Sequence, residues 1–184
     1  ACRAAAGIAL AFLQSRDRVG VIRYAGAVDW AVPRGGRNQL YAILDRLARV
    51  RTIQSFVSPN MRLIPLSVLP PGSLVLVITP LLDDRSIHML TSLAARGCRP
   101  MVLYVSPMDL AAPARPTDDA AALAERWWRL KHRGKIARLR SMGLMVAEWD
   151  GVGSLDACLS SQFGAAGFYA GRDAGRGSAR GGLL

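Results

Sequence analysis

Histidine and cysteine are scarce in this chain of 184 residues, and each scarcity excludes a class of function. The two histidines, His88 and His132, stand far apart, so neither a zinc cluster nor an adjacent histidine pair can be built from them. Three cysteines, Cys2, Cys98 and Cys158, are odd in number and widely spaced. That excludes a disulfide scaffold and a Cys-x-x-Cys motif, and suits reduced thiols in the cytosol. Nucleophile signatures such as Gly-x-Ser-x-Gly are missing too, which leaves an enzymatic reading without a residue to carry it. Only 20% of residues are charged against 51% hydrophobic, a balance too apolar for wholesale disorder.

An uninterrupted membrane-length run is also lacking. Leu63 to Leu82 holds 20 residues without a charge, but Pro65, Pro70, Pro71, Gly72 and Pro80 break it. A spanning helix would lose donors where no water can replace them. Ala4 to Leu13 is apolar but too short to span, and no signal-peptide pattern follows it.

What is present is a regular alternation of helical and strand periodicity. Ala5, Ile8, Ala9, Phe12 and Leu13 repeat at helical spacing and stop before the polar turn Ser15 to Arg18. Val19–Tyr24 and Val28–Val32 are β-branched runs around Ala25-Gly26, predicting an adjacent strand pair. Leu40, Ile43, Leu44, Leu47 and Val50 mark an amphipathic helix. Residues 51 to 73 are proline-rich and predict a packed loop with a short helix. Leu74–Thr79 is apolar without alternation, which predicts a strand buried on both faces. A helix from Asp83-Asp84 ends at Gly97, and Pro100–Val105 is a second buried strand. Together they make a βαβ unit and a parallel sheet. After a connector from Ser106 to Pro116, Thr117-Asp118-Asp119 caps a long helix that runs to Gly143. Its predicted core stripe is Ala120, Leu123, Trp127, Leu130 and Leu139. Leu144–Trp149 is the last strand and Leu155–Phe163 a short helix. Gly164 to Leu184, with seven Gly and three Arg, has no packing pattern and predicts disorder. The predicted organisation is one α/β domain over 1–163 and a tail over 164–184.

Three features carry candidate chemistry. Arg34-Gly-Gly-Arg37 precedes a helix, where backbone N–H groups attract anions. It lacks the P-loop pattern, so a plain strand-to-helix turn is the expected reading. Asp83 and Asp84 follow the carboxyl end of a parallel strand, where open α/β sheets place ligands. They either hold a divalent cation through oxygen or cap the next helix, and the dipole favours capping. The strongest charge feature is Arg126, Arg129, Lys131, Arg133, Lys135, Arg138 and Arg140, seven cations in one helix with Trp127 and Trp128. Such a stretch binds nucleic acid or an anionic lipid surface, but the cations are spread around the helix, which favours solvated cations around a buried aromatic seam, or a face that meets an acidic partner protein, over nucleic acid.

Asp17-Arg-Val-Gly-Val-Ile-Arg-Tyr24, Arg34-Gly-Gly-Arg-Asn-Gln-Leu-Tyr-Ala-Ile-Leu44 and Leu69-Pro-Pro-Gly-Ser-Leu-Val-Leu-Val-Ile-Thr-Pro-Leu-Leu-Asp-Asp84 come in an order that resembles the bacterial domain-of-unknown-function family fifty-eight. Ala94-Ala-Arg-Gly-Cys-Arg-Pro-Met-Val-Leu-Tyr-Val105 and the Arg-Trp-Trp-Arg-Leu helix look like its actinobacterial branch. The resemblance implies a von Willebrand factor A-like, Rossmann-like three-layer sandwich around a mostly parallel sheet. It further implies a non-enzymatic adaptor that works with a MoxR-type AAA ATPase in protein maturation or envelope processes. Members often carry membrane helices upstream of the domain, so the expected place is the cytoplasm or the cytoplasmic face of a membrane.

The family's Mg²⁺ motif, Asp-x-Ser-x-Ser, ends a first strand that would precede Ala1, so this strand is expected to be missing and Mg²⁺ to be possible only with such a segment. Thr79-Pro80 stands where the fold usually offers a metal-ligand Asp, and Arg37-Asn38 where it offers a threonine. The expected site is therefore degenerate and without a cofactor, with Asp83 and Asp84 as its remaining ligand candidates. Partner contacts are expected at Arg34, Arg37, Asn38, Thr79, Asp83 and Asp84. The alternative is a basic nucleic-acid or anionic-membrane binder through residues 125 to 140, and nucleic acid is the less expected partner.

Overall fold

The computed structural model describes residues 1–24, 28–51, 61–111 and 118–164. The turn at Ala25-Gly26, residues 52–60, the connector from 112 to 116 with Thr117, and the tail from 165 lie outside the described residues. Among the described residues, the chain is a mixed α/β protein that divides into two compact units, Ala1–Ser73 with Thr91–Arg99, and Leu74–Leu90 with residues 100 to 164.

In the first unit, helix α1 (Cys2–Gln14) leads into β1 (Val19–Tyr24) and β2 (Val28–Arg34), followed by α2 (Arg37–Ala48). β1 and β2 pair antiparallel, with an irregularity between Val19 and Val21. Gly20 sits at that bulge, where an added Cβ would come within 2.7 Å of the Ala31 carbonyl oxygen and 2.9 Å of the Pro33 ring. A side chain there would force the strands apart, so close backbone approach explains the glycine. α1 and α2 pack together through Ala9, Leu13 and Ile43, with Val19, Val21, Leu40 and Leu47 around them. The proline-rich segment contributes a 3₁₀ turn, Met61–Leu63. Arg96 fastens it by donating to the carbonyls of Met61 and Ile64.

In the second unit, β3 (Leu74–Thr79), β4 (Arg99–Val105) and β5 (Met145–Trp149) form a three-stranded parallel sheet in the order β3-β4-β5. α3 (Arg85–Ala95) connects β3 to β4, and α4 (Pro107–Ala111) with α5 (Asp119–Ser141) connects β4 to β5. α6 (Leu155–Phe163) follows β5. Strand–helix–strand order and parallel pairing give the Rossmann-like character that the periodicity predicts. At Gly97, φ is +75°. There the N–H of Cys98 returns to the carbonyl of Leu93, the glycine-terminated helix end expected from the sequence.

Five corrections to the sequence reading follow. The strands form two sheets, an antiparallel pair and a parallel triplet, where a single mostly parallel sheet is expected, because β1 and β2 hydrogen-bond to each other. β3 is half-buried except at Thr79, while β4 from Met101 to Val105 is buried throughout. The reason is position, since β4 lies between two neighbours and β3 has one in this sheet. α3 begins at Arg85, two residues later than expected, with the N–H groups of Ile87 and His88 bonded to the Asp84 carbonyl, so Asp84 stands at the helix's N-cap position and Asp83 precedes it. Part of the Ser106–Pro116 connector is helical as α4. Of the core stripe predicted for α5, Leu139 alone is buried. Leu123, Trp127 and Leu130 are 66%, 60% and 69% exposed, while His132, Ile136 and Leu139 are buried. A histidine occupies a core position of that helix, which disguises the buried face in a hydrophobicity pattern.

Candidate functional site

The second unit builds its candidate site from the loop after β3 and one side of α5. Thr79 ends β3, and its hydroxyl accepts the N–H of Leu81 at 3.1 Å and meets the Ser86 hydroxyl at 3.4 Å. Leu81 is fully buried and has φ of +49°, a left-handed conformation that a branched side chain adopts only when its surroundings hold it there. Lys135 of α5 supplies part of that hold. Its ammonium donates to the carbonyls of Leu81 and Leu82, each at 3.2 Å, and stands 3.4 Å from the Asp84 carboxylate.

Lys135 is the loop's anchor because its side chain is only 13% exposed, a burial that a lysine tolerates when acceptors surround it. The neighbouring residues stay open to solvent. Leu82, Asp83, Asp84, Lys131, Gly134 and Arg138 join Lys135 around an open cleft of about 530 Å³. Asp83 is paired with Arg85 across the loop. Three cations at i, i+4 and i+7 of α5 therefore face two carboxylates at the carboxyl end of a parallel strand.

The remaining cations of α5 divide into engaged and unengaged groups. Arg129 bridges Glu125 on its own helix and Asp109 of α4. Arg140 donates to the Glu148 carboxylate and the Val146 carbonyl. Lys131 lies over the Trp127 ring, 5.0 Å from its centroid. Arg126, Arg133 and Arg138 have no acidic partner among the described residues.

Beneath α5, the His132 ring stacks on Trp128 at 3.6 Å and lies 6.1 Å from Tyr104. Burial pushes the Tyr104 phenol up from its ordinary value. At the far edge of the sheet, Gln162 of α6 accepts the N–H of Glu148 and donates to its carbonyl. This bonding covers the open edge of β5 as a neighbouring strand would. Burial also raises the Cys158 thiol, with Asp150 and Glu148 adding to the effect.

The other predicted contact residues belong to the first unit. Arg34 ends β2, Gly36 precedes α2 with φ of +84°, and Arg37 and Asn38 open that helix, all three polar residues being exposed. The structure thus gathers Asp83, Asp84, Lys131, Lys135 and Arg138 into one cleft, and it places Arg34, Arg37 and Asn38 on the other unit. Thr79 is buried and its hydroxyl is occupied within the loop, so it shapes the site without reaching out of it. His88 is exposed on α3.

Sequence reasoning named Lys135 without its role and missed Gln39. Lys135 was indistinguishable from its cationic neighbours, although its spacing from Leu139 and Trp128 places it beside the buried face. Gln39 is buried and donates to the carbonyls of Val19 at 2.7 Å and Val32 at 3.0 Å, holding the start of α2 against the bulged hairpin.

No family model, curated protein or solved structure matches this chain. Among the described residues no group of three or more His, Cys, Asp or Glu stands together, and no helix is long and apolar enough to cross a membrane.

Proposed function

We propose that this chain is a non-enzymatic interaction module of von Willebrand factor A-like type, an adaptor for a MoxR-type AAA ATPase on the cytoplasmic side of the cell. One observation carries the proposal. The loop after β3 is fixed in a strained conformation by Lys135, yet the groups it presents, Leu82, Asp83 and Asp84, face an open cleft beside exposed cations. A loop held rigid with its polar groups outward is suited to binding a surface, because little ordering entropy remains to be lost on contact. In this reading the site takes no metal. Asp83 already faces Arg85 and Asp84 faces Lys135, and a cation beside each carboxylate opposes Mg²⁺ by charge repulsion.

A second reading, a basic binder of nucleic acid or anionic membrane through residues 125 to 140, draws on the unneutralised Arg126, Arg133 and Arg138. Its signature is affinity that falls steeply with salt.

The test is a pull-down of a purified MoxR-type ATPase by the purified chain, with and without nucleotide. Capture that Lys131→Glu with Arg138→Glu weakens at least tenfold is the expected result. Absence of capture in every nucleotide state, together with salt-sensitive binding of duplex DNA, overturns it in favour of the second reading.

A further inference from the structure

α5 carries an uncharged stripe opposite the face that it buries, apolar in its first half. Leu123, Trp127, Leu130, Gly134, Ala137 and Ser141 follow one another at spacings of four, three, four, three and four. This is the a/d rhythm of a coiled-coil seam. All six are exposed, and none is charged. The buried residues His132, Ile136 and Leu139 lie on the other side of the helix. Three large apolar groups left at 60% exposure or more on one stripe are not scattered surface residues.

The flanks of the stripe are cationic along both edges. Arg126 and Arg133 directly precede Trp127 and Gly134, and Lys131 and Arg138 directly follow Leu130 and Ala137. In heptad terms these are the g and e positions, which choose partners by charge. A second copy of this chain is excluded as the occupant by that choice. A parallel pair would set Arg126 or Arg133 against Lys131 or Arg138, and an antiparallel pair would set like edges together, so both meet cation with cation. An apolar helix edged by Glu or Asp would find opposite charge at Arg126 and Arg133 on one side and at Lys131 and Arg138 on the other, where Asp83 and Asp84 share the cleft with those two cations.

The seam also changes character along its length. Leu123, Trp127 and Leu130 form a bulky half, whereas Gly134, Ala137 and Ser141 form a half with almost no side chain, and a Cβ placed on Gly134 meets nothing within 4 Å. Small residues let a second helix approach closely, but they give a membrane-bound helix little apolar volume to insert. Lys131 lies over the Trp127 ring at one edge of the bulky half, 5.0 Å from its centroid.

We infer that the exposed face of α5 is a docking seam for an amphipathic α-helix with acidic flanks, supplied by a partner protein. The inference rests on the interaction-module reading only in taking the chain to act by binding. It concerns the outer face of α5, whose Leu123, Trp127 and Leu130 lie outside the cleft at Leu82–Asp84, while Gly134, Lys131 and Arg138 line both.

The probe is a synthetic three-heptad peptide with Leu at a and d and Glu at e and g, which repels itself and stays monomeric at neutral pH. It is titrated against the full chain by anisotropy, beside a peptide with Lys at e and g and beside vesicles of phosphatidylglycerol or phosphatidylcholine. The Glu peptide is expected to bind, to weaken at least tenfold between low and high salt, and to lose at least tenfold in affinity with Leu130→Glu. The Leu130→Glu chain keeps its circular dichroism because that side chain is exposed. The Lys peptide is expected to bind at least tenfold more weakly. Equal binding of both peptides, no binding of the Glu peptide, or binding of phosphatidylglycerol vesicles without the peptide overturns the inference. ATPase capture that survives Leu130→Glu while the Glu peptide fails to bind removes the seam and leaves the cleft-based reading standing.

Discussion

The ammonium of Lys135 lies 3.4 Å from the carboxylate of Asp84 and, from the same position, donates to the carbonyls of Leu81 and Leu82. One cation thereby fastens the loop after β3 to the middle of α5. The loop contains Leu81 with positive φ, a conformation that costs on the order of 1–3 kcal/mol and persists only where neighbours compensate.

Lys135→Met keeps the apolar stem and removes the charge, leaving those carbonyls without their donor. Unfolding in urea, followed by circular dichroism, is expected to show a loss of about 1–3 kcal/mol. Hydrogen exchange is expected to speed up over residues 81–84 more than in β4. Unchanged stability with unchanged exchange would show that Lys135 holds nothing.

Gln39 is the corresponding fastener in the first unit. Gln39→Ala is expected to cost about 1–3 kcal/mol, because the Val19 and Val32 carbonyls lose their donor. Gln39→Glu should be worse than Ala at neutral pH, since a carboxylate presents oxygen to oxygen, and should recover in acid as the introduced group protonates. Equal melting temperatures for the two variants at pH 7 would contradict this.

Asp150 sets a pH dependence whose sign is fixed by its bonds. Its carboxylate accepts the N–H groups of Val152 and Gly153, each at 3.0 Å, and these bonds lower its pKa below the ordinary value. A lowered folded-state pKa means that the unfolded chain takes up the proton first as pH falls. The contribution is complete above the unfolded carboxyl range and is lost as pH drops through the folded value. The melting-temperature gap between the native chain and Asp150→Ala is therefore expected to be full at neutral pH and to close in acid. A gap that widens in acid would reverse the assignment.

His132 tests whether its core position needs a polar ring. Its Nδ1 lies 3.0 Å from the Trp128 carbonyl, so Nδ1 carries the donated proton, and Nε2 is buried without a hydrogen-bond partner among the described residues. Leaving a polar atom unpaired is unfavourable, and Phe preserves the stacking on Trp128. His132→Phe is expected to unfold at the same or a higher urea concentration, while His132→Asp loses at least about 2 kcal/mol through an uncompensated buried charge. A large loss in the Phe variant would reveal a partner for Nε2.

The alternating periods of the chain were enough to place most elements. Residue-scale spacing marks helices at Leu40–Val50 and strands at Pro100–Val105 because local backbone geometry fixes which side chains share a face. Caps were legible for the same reason, as in Asp118, whose carboxylate accepts the Ala121 N–H at 2.7 Å, and Gly97 with its positive φ. The candidate loop at Asp83-Asp84 was also visible, since its place after a parallel strand follows from element order alone.

The sequence by itself thus determined the α/β alternation, the basic character of α5 and the position of the loop. Only the tertiary structure decided which side of α5 is buried, which of its seven cations serves the fold, and which edges of the sheet are covered. A helix with apolar residues on two faces satisfies local geometry in either orientation. The choice is made by packing against β4 and β5, where His132, Ile136 and Leu139 enter the core and Leu123, Trp127 and Leu130 are left outside.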